Sequence, residues 1–362
     1  MRRISRPTFA IGACALLATL LVPVAQAQVG EFDGQLDVGT VLHPGSVAYD
    51  AQKHTYTISG SGDNMWFGAD DFHLAWKKVS GDVAITADID FVGTTGNEHR
   101  KAALLLRQTL DANSVYADVA LHGNGLTSLQ YRDAPGADTH EVETAVSAPR
   151  RVRIEKRGEH VYVFVGDSSG KLNFSGAVMR LNLRGDFYVG LGVCSHDKDV
   201  AETAVFSNVK LEPLAPSAAK PILWSAVETV KIASTDRLVA YTAPKRLDSP
   251  QWSSDGASLL FRGDDAWYRG MLGGTAEPIS VADAPQAPNA TGQDISPDGK
   301  WKAFFAPSSE PGNPDTVLLL QSLADQKIKV LAKLNRGSST RVPSWSPDST
   351  RVAFVSYAQL PQ

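Results

Sequence analysis

The predicted architecture depends on the stretch Val342-Pro343-Ser344-Trp345-Ser346-Pro347-Asp348-Ser349, which leads into the apolar run Arg351-Val352-Ala353-Phe354-Val355. The same order of turn and apolar strand occurs twice upstream, at residues 249–261 and 293–305. The turns of successive copies are 43 and 50 residues apart. A period of this length indicates a repeat architecture built from supersecondary units.

Each copy predicts two strands joined by a tight turn, with the turn aspartates at Asp255, Asp298 and Asp348. In such a turn Pro presets φ, Asp can hydrogen-bond to its own backbone, and Gly accepts a positive φ. An aromatic residue precedes the turn in two copies, at Trp252 and Trp345. Four-stranded units at a period of about 40–50 residues are typical of β-propeller blades.

Over about residues 222–357, these copies resemble the blade signature of TolB-type β-propellers of the bacterial envelope. The resemblance is carried by Trp345-Ser346-Pro347-Asp348-Ser349 and by the strand that contains Phe354. It implies a scaffold for protein interaction or sensing, and it does not imply catalysis. We therefore expect residues 222–362 to form TolB-like propeller repeats that contact a protein partner.

The number of copies raises the question of how such a propeller closes. The third copy, Trp345–Tyr357, supplies only two inner strands, and we expect its outer strands to come from Glu228–Ile232 and Arg237–Tyr241. This gives about three blades, whereas propellers typically need at least four and the TolB-type pattern has six. Because open blades expose apolar faces, we expect either self-association, with two halves making six blades, or a remnant of low stability.

Residues 1–27 have the pattern of a secretory signal peptide, with three arginines before a mostly apolar run and Ala25-Gln26-Ala27 at the cleavage position. We therefore expect a periplasmic or secreted protein without a transmembrane span.

Removing this leader changes the formal net charge from −4 to −7, which is unfavourable for binding nucleic acid. Cys194 is then the only cysteine, so no disulfide can form within the mature chain.

Residues 29–213 show short apolar or alternating segments every 10–15 residues, separated by turn clusters. Strands at this spacing without helical periodicity predict a β-sandwich, and thus an all-β protein. The segment resembles the concanavalin A-like jelly rolls of lectins, laminin-G modules and glycosidase accessory domains. This resemblance is carried by Trp66, Phe72–Trp76, Ile85–Phe91 and Ala204–Val209. Residues 214–221 predict a proline-rich linker to the propeller repeats.

Alternation along three predicted strands places a set of polar side chains together. Alternate residues of a strand point to opposite sides of its sheet. If residues 115–122, residues 127–132 and the preceding strand are neighbours, six side chains share one face: Arg107, Tyr116, Asp118, His122, Gln130 and Arg132. Planar donors, a carboxylate and an aromatic ring suit sugar hydroxyls or an anionic glycan. We expect Tyr116→Ala or Arg132→Ala to weaken ligand binding without unfolding the domain.

The same face has a simpler interpretation as a solvated sheet surface. Antiparallel sheets normally carry a polar outer face, and Asp118 could form an ion pair there with an arginine. The sequence leaves both interpretations open.

An enzyme is the main rival hypothesis. Glycoside hydrolysis requires two carboxyl groups at a defined separation, and the candidates in the amino-terminal segment are Glu98, Glu141, Glu143 and Glu155. The run Cys194–Asp199 lacks the arrangement of nucleophile, base and orienting group that a peptidase needs. The sequence shows no phosphate-binding loop, dinucleotide fingerprint or histidine-rich metal spacing, so we expect no cofactor.

Taken together, these patterns favour an exported, non-enzymatic binding protein. Its sandwich would bind a glycan or cell-envelope ligand, and its repeats would contact protein. A glycoside hydrolase or peptidase-type hydrolase with an unrecognised active site remains one alternative, and a structural envelope scaffold is the other.

Overall fold

The computed structural model describes residues 28–264, 266–272, 275–280, 284, 294–335 and 343–361. Every regular element within these ranges is a β-strand, which confirms the all-β class. No helix in the described part of the chain is long and apolar enough to cross a membrane. The predicted leader, residues 1–27, lies outside the described residues.

The strands fall into two groups along the chain, before and after residues 214–221, which form no strand. The first group is β1 (Gly34–Val38), β2 (Ser46–Asp50), β3 (Thr55–Gly62), β4 (Met65–Trp66), β5 (Ala69–Asp70), β6 (Phe72–Ser80), β7 (Val83–Phe91), β8 (Lys101–Arg107), β9 (Tyr116–His122), β10 (Thr127–Arg132), β11 (His140–Glu143), β12 (Arg151–Arg157), β13 (His160–Gly166), β14 (Leu172–Arg180), β15 (Asp186–Cys194) and β16 (Asp197–Pro213). The second group is β17 (Ile222–Lys231), β18 (Arg237–Ala243), β19 (Leu247–Trp252), β20 (Ser258–Gly263), β21 (Ala266–Met271), β22 (Ala276–Ile279), β23 (Trp301–Pro307), β24 (Thr316–Ser322), β25 (Ile328–Leu334), β26 (Ser344–Trp345) and β27 (Arg351–Leu360).

Two sheets of the first group pack face to face as a sandwich. The front sheet has the order β1-β6-β15-β8-β9-β10-β11, and the back sheet has the order β14-β13-β12-β7-β16-β3-β2. Alternate residues of each strand enter the core, so that β9 contributes Ala117, Val119 and Leu121 while β12 contributes Val152 and Ile154. Each fully buried aliphatic side chain of this kind stabilises the fold by about 1.5–3 kcal/mol.

The second group forms two small antiparallel sheets and a four-strand extension of the front sheet, which we call the middle sheet. The middle sheet has the order β18-β17-β27-β26, and the two small sheets are β19–β22 and β23–β25. In the middle sheet β17 pairs with β27 from Ile222 opposite Leu360 to Lys231 opposite Arg351. Strand β18 pairs along the other side of β17. Strand β27 of the last repeat thus pairs with strands from the start of the second group, as expected, while closure of the repeats as a propeller remains a prediction.

The middle sheet lies between the two small sheets. Val352 and Phe354 of β27 pack on one face against Leu318 of β24. Val355 packs on the opposite face with Phe261 of β20. Successive residues of β27 therefore enter two different cores. This explains why Val352–Val355 is apolar at every position.

The sandwich and the second group share one continuous sheet, because β11 pairs in parallel with β18. Val142 lies opposite Arg237, and Ala226 and Val239 belong to the same core cluster as the sandwich. At this junction Gly176 of β14 has φ +85°, and a Cβ on it would come within 2.9 Å of the Val239 side chain. Only glycine satisfies both the backbone angle and the close approach.

Candidate functional site

The six polar residues predicted to share a face do so in the structure. Strand β9 lies between β8 and β10, with Tyr116 opposite both Arg107 and Arg132, and Asp118 opposite Gln130. His122 lies opposite Lys101 at the other end of β8. All of them project from the side of the front sheet that faces away from the sandwich core, and their role in ligand binding remains a prediction.

This face is buried, which strand alternation alone does not predict. Tyr116, Asp118, Gln130 and Arg132 are each 0% exposed. Because Tyr116 and Arg132 are buried, we now expect their truncation to destabilise the domain, in contrast to the expectation from the sequence. The hairpin formed by β4 and β5 covers this end of the sheet, because Arg132 binds the backbone carbonyls of Trp66 and Phe67.

The two arginines are held by a carboxylate that sequence reasoning missed. Asp70 of β5 accepts from Arg107 Nη1 at 2.6 Å and from Arg132 Nη2 at 2.8 Å, and all three side chains are fully buried. The Tyr116 ring centroid lies 5.0 Å from the Arg132 guanidinium carbon. Asp70, and not Asp118, therefore forms the ion pair with the arginines. At this end of the face, these contacts hold the β4–β5 hairpin against the front sheet.

The other end of the face contains what we call the polar cluster: Lys101, Asp118, His122, Gln130 and Glu141. Gln130 Nε2 donates to Glu141 Oε1 at 3.1 Å and contacts His122 Nε2 at 3.1 Å. Because an amide N–H needs an acceptor, the Nε2 atom of neutral His122 accepts and its proton lies on Nδ1. Ser128 Oγ also donates to Glu141 Oε1, at 2.8 Å.

Four buried polar atoms of this cluster have no hydrogen-bond partner among the residues that the structure describes. They are both carboxylate oxygens of Asp118, Nδ1 of His122 and Oε1 of Gln130. Buried polar atoms are normally paired, because leaving one unpaired costs about 1–3 kcal/mol. The concentration of four such atoms on three residues of one face points to a bound partner.

Burial also changes the titration of the cluster. Loss of solvent raises the pKa of Asp118 to about 8, with the positive charge of Lys101 opposing the shift. The same desolvation, reinforced by Lys101, lowers the pKa of His122 to about 2. Burial lowers the pKa of Lys101 as well. At neutral pH, Asp118 therefore holds a proton and His122 is neutral.

Lys101 connects the polar cluster to the hairpin. Its Nζ donates to Asn64 Oδ1 and to the Met65 carbonyl, each at 2.9 Å, and lies 5.3 Å from the Trp66 ring centroid. Lys101 precedes Arg107 by six residues on β8, so strand alternation already places it on the same face. The sequence pattern therefore already places Lys101 on this face, although Lys101 is not among the six residues predicted to share it.

Partly exposed side chains surround the polar cluster. The His99 ring centroid lies 5.8 Å from that of His122 and 5.6 Å from that of His196. Trp66 is also partly exposed, and the neighbouring Phe67, at the tip of the hairpin, is 66% exposed. The His99 imidazole therefore lies beside His122, and the Trp66 ring lies beside Lys101.

The other catalytic candidates are not brought together. Glu98 is largely exposed, and Glu155 lies on the back sheet, where Arg153 and Arg157 hold it at 2.6 and 2.7 Å. Of the four carboxylates proposed from sequence, only Glu141 belongs to the polar cluster. Cys194 is free and buried, and burial raises the pKa of its thiol to about 11. No group of three or more potential metal ligands occurs in the described ranges.

No protein family and no curated protein matches the chain by sequence. Several solved structures resemble about half of it. A protein of unknown function from Saccharomyces cerevisiae covers 50% of this chain and 97% of its own, with 11% identity and a TM-score of 0.39. A carbohydrate-binding module from Bacillus subtilis covers 51% and 99%, with 19% identity and a TM-score of 0.33. A β-1,3-1,4-glucanase from a mouse hindgut metagenome covers 46% and 83%, with 11% identity and a TM-score of 0.32.

Proposed function

We propose that this protein binds a neutral glycan at the polar cluster. The observation that carries the proposal is the set of unpartnered atoms on Asp118, His122 and Gln130, which lie on one face beside a partly exposed rim. A ligand that supplies their hydrogen bonds would recover the free energy that their burial costs.

The chemistry of these atoms selects a polyhydroxylated ligand. Oε1 of Gln130 can only accept and Nδ1–H of His122 can only donate, while the protonated Asp118 carboxyl does both. A sugar hydroxyl can donate and accept, so it matches all three groups. The Trp66 ring offers an apolar face on which a sugar ring can stack. The Lys101 ammonium already donates to Asn64 Oδ1 and to the Met65 carbonyl, so the Glu141 carboxylate disfavours an acidic glycan here.

Isothermal titration of the full chain with a panel of neutral oligosaccharides tests this proposal. We expect Trp66→Ala to weaken binding of the recognised oligosaccharide about tenfold, which corresponds to about 1.4 kcal/mol. Trp267→Ala, on the separate sheet β19–β22, is the matched control and should bind as the wild type does. Equal affinity of Trp66→Ala and wild type, or no binding by the wild type to any member of the panel, would contradict the proposal.

We also propose that the second group of strands is a TolB-like partial propeller that self-associates through the outward face of the sheet β23–β25. Phe304, Leu319 and Val330 form a cross-strand apolar row there, and Val330 is 44% exposed. The opposite face of the same sheet packs on the middle sheet. A second copy would offer a similar apolar sheet face.

Sedimentation equilibrium tests the self-association. We expect a concentration-dependent dimer in the wild type and a monomer in Val330→Glu, because a buried unpaired carboxylate opposes association. Lys329→Gln, at the neighbouring position, makes the same change of one unit in net charge and is the matched control. A wild type that stays monomeric at high concentration would argue against this second role.

We further propose export to the periplasm or the cell exterior, on the strength of the leader pattern in residues 1–27. A glycan of the cell envelope or its surroundings would then be within reach of the polar cluster.

A further inference from the structure

We propose that the polar cluster also hydrolyses a glycosidic bond, with Asp118 as the general acid and Glu141 as the general base. This inference rests on the glycan binding proposed above. It differs from the sequence-based expectation of a non-enzymatic protein, because one sequence could not show which carboxyl groups face each other.

The positions of the two carboxyl groups follow from the strand register. Gln130 lies directly opposite Asp118 on β9 and directly opposite Glu141 on β11, so the three side chains form one row across three strands. Neighbouring strands are about 4.8 Å apart, which places the Cα atoms of Asp118 and Glu141 about 10 Å apart. Inverting glycosidases hold their carboxyl groups about 6.5–9.5 Å apart and retaining enzymes about 5–5.5 Å. Side chains on one face of a sheet project in the same direction, so the two carboxyl groups are about as far apart as their Cα atoms. This separation is closer to the inverting range than to the retaining range.

The surroundings give the two carboxyl groups different roles. Burial raises the pKa of Asp118 to about 8, so this group holds a proton at neutral pH and can donate it. Glu141 is only partly buried and accepts hydrogen bonds from Ser128 and Gln130. Two carboxyl groups in different environments are the arrangement that acid and base catalysis require.

The proposed reaction is a single displacement. Asp118 gives its proton to the glycosidic oxygen as the bond from that oxygen to the anomeric carbon breaks. Glu141 removes a proton from a water molecule as the water oxygen bonds to the anomeric carbon from the opposite side. The products are two shorter sugars, and exchange with solvent returns the proton from Glu141 to Asp118. These steps balance without an oxidant, a reductant or a further reactant.

Access to Asp118 requires a local movement, because this residue is fully enclosed. The backbone near Asn64 and Met65 is held over the cluster by hydrogen bonds from Lys101. The same segment is also bonded at the arginine end, because Arg132 donates to the Trp66 carbonyl and Met65 pairs with Asp70. The hairpin formed by β4 and β5 must therefore shift as a unit and break these bonds before a sugar reaches Asp118.

The test uses the full chain and end-labelled neutral hexasaccharides of glucose, xylose, mannose and N-acetylglucosamine. Binding is measured by titration, and cleavage is measured by chromatography of the same mixtures. We expect the wild type to cleave an oligosaccharide that it binds and to release the inverted anomer, seen by proton NMR. Asp118→Asn and Glu141→Gln should each lower kcat by about 10²–10⁴-fold while binding stays within about threefold.

Two further variants separate catalysis from structure. Glu143→Gln changes a carboxylate on the same strand outside the row and should cleave as the wild type does. Glu141→Ala should regain turnover with sodium azide, which replaces the water and gives an inverted glycosyl azide, and a merely structural role would not produce this rescue. An oligosaccharide that binds without being cleaved overturns the hydrolysis but not the binding. If no oligosaccharide binds, both proposals fail.

Discussion

Replacing Arg132 with methionine is expected to lower the free energy of unfolding by about 3–5 kcal/mol, the usual cost of breaking a buried ion pair from one side. The guanidinium is 0% exposed and donates to both oxygens of Asp70. It also donates to the backbone carbonyls of Phe67, Ala137 and Ser114. Methionine keeps much of the volume but removes all of these bonds, and among the described residues only Asp70 Oδ2 and the Phe67 carbonyl retain a second donor, from Arg107 and Thr139.

Urea unfolding of the two proteins at neutral pH measures this effect. Arg150→Met is the matched control, because Arg150 forms an exposed pair with Asp90 at 3.7 Å. Such surface pairs contribute at most about 1 kcal/mol. If Arg132→Met were as stable as Arg150→Met, the hairpin would not depend on the buried arginine, and the role assigned to Asp70 would be incorrect.

The second large effect is a change in how stability depends on pH in Asp118→Asn. The pKa of Asp118 is about 8 in the folded protein, whereas the ordinary pKa of an aspartate, which applies to the unfolded chain, is 3.8. Between these two pH values the folded state binds one proton more than the unfolded state. The stability that this proton contributes is fully present below pH 3.8 and is lost as pH rises to about 8, with a slope of about 1.4 kcal/mol per pH unit.

Asparagine does not titrate, so we expect the stability of Asp118→Asn relative to wild type to increase as pH rises from about 5 to about 8. His122 has the opposite sign, because its pKa is lowered to about 2 and its contribution is lost as pH falls below the ordinary histidine pKa of 6.5. Both proteins contain His122, so its contribution cancels in the difference. Urea unfolding at several pH values gives the comparison, and parallel profiles would mean that Asp118 titrates like an exposed carboxyl.

Strand alternation predicts the shared face because it depends only on local geometry. Once β8, β9 and β10 are neighbours, a period of two determines which side chains point the same way. The same rule also covers Lys101. Alternation therefore groups Asp118, His122 and Gln130 correctly once these strands are taken as neighbours, without knowledge of any side-chain contact.

The cover over this face cannot be predicted in the same way. Strands β4 and β5 have two residues each, too few to show any alternation. Asp70 lies 37 residues before Arg107 and 62 before Arg132, and no local pattern links them. The burial of Tyr116 and the arginines follows from this long-range contact, which explains why the sequence predicts a surface where the structure has an interior.

The pairing of β17 with β27 is predictable for a different reason. The last repeat supplies two strands where the earlier copies supply more, and an apolar strand without a neighbour leaves backbone groups unpaired. The parallel pairing of β11 with β18 cannot be predicted in this way, because it joins only Val142 and Glu143 to two residues of the second group.

That short parallel pairing has a consequence for any attempt to study the sandwich alone. Strands β11 and β18 each cover an edge of the other's sheet. A fragment ending near residue 213 would present the uncovered edge of β11, with free N–H and C=O groups, to other molecules. Uncovered edges recruit strands from neighbouring chains and promote aggregation. The strands after residue 221 therefore cover an edge of the sandwich, and we expect a fragment without them to be less soluble than the full chain.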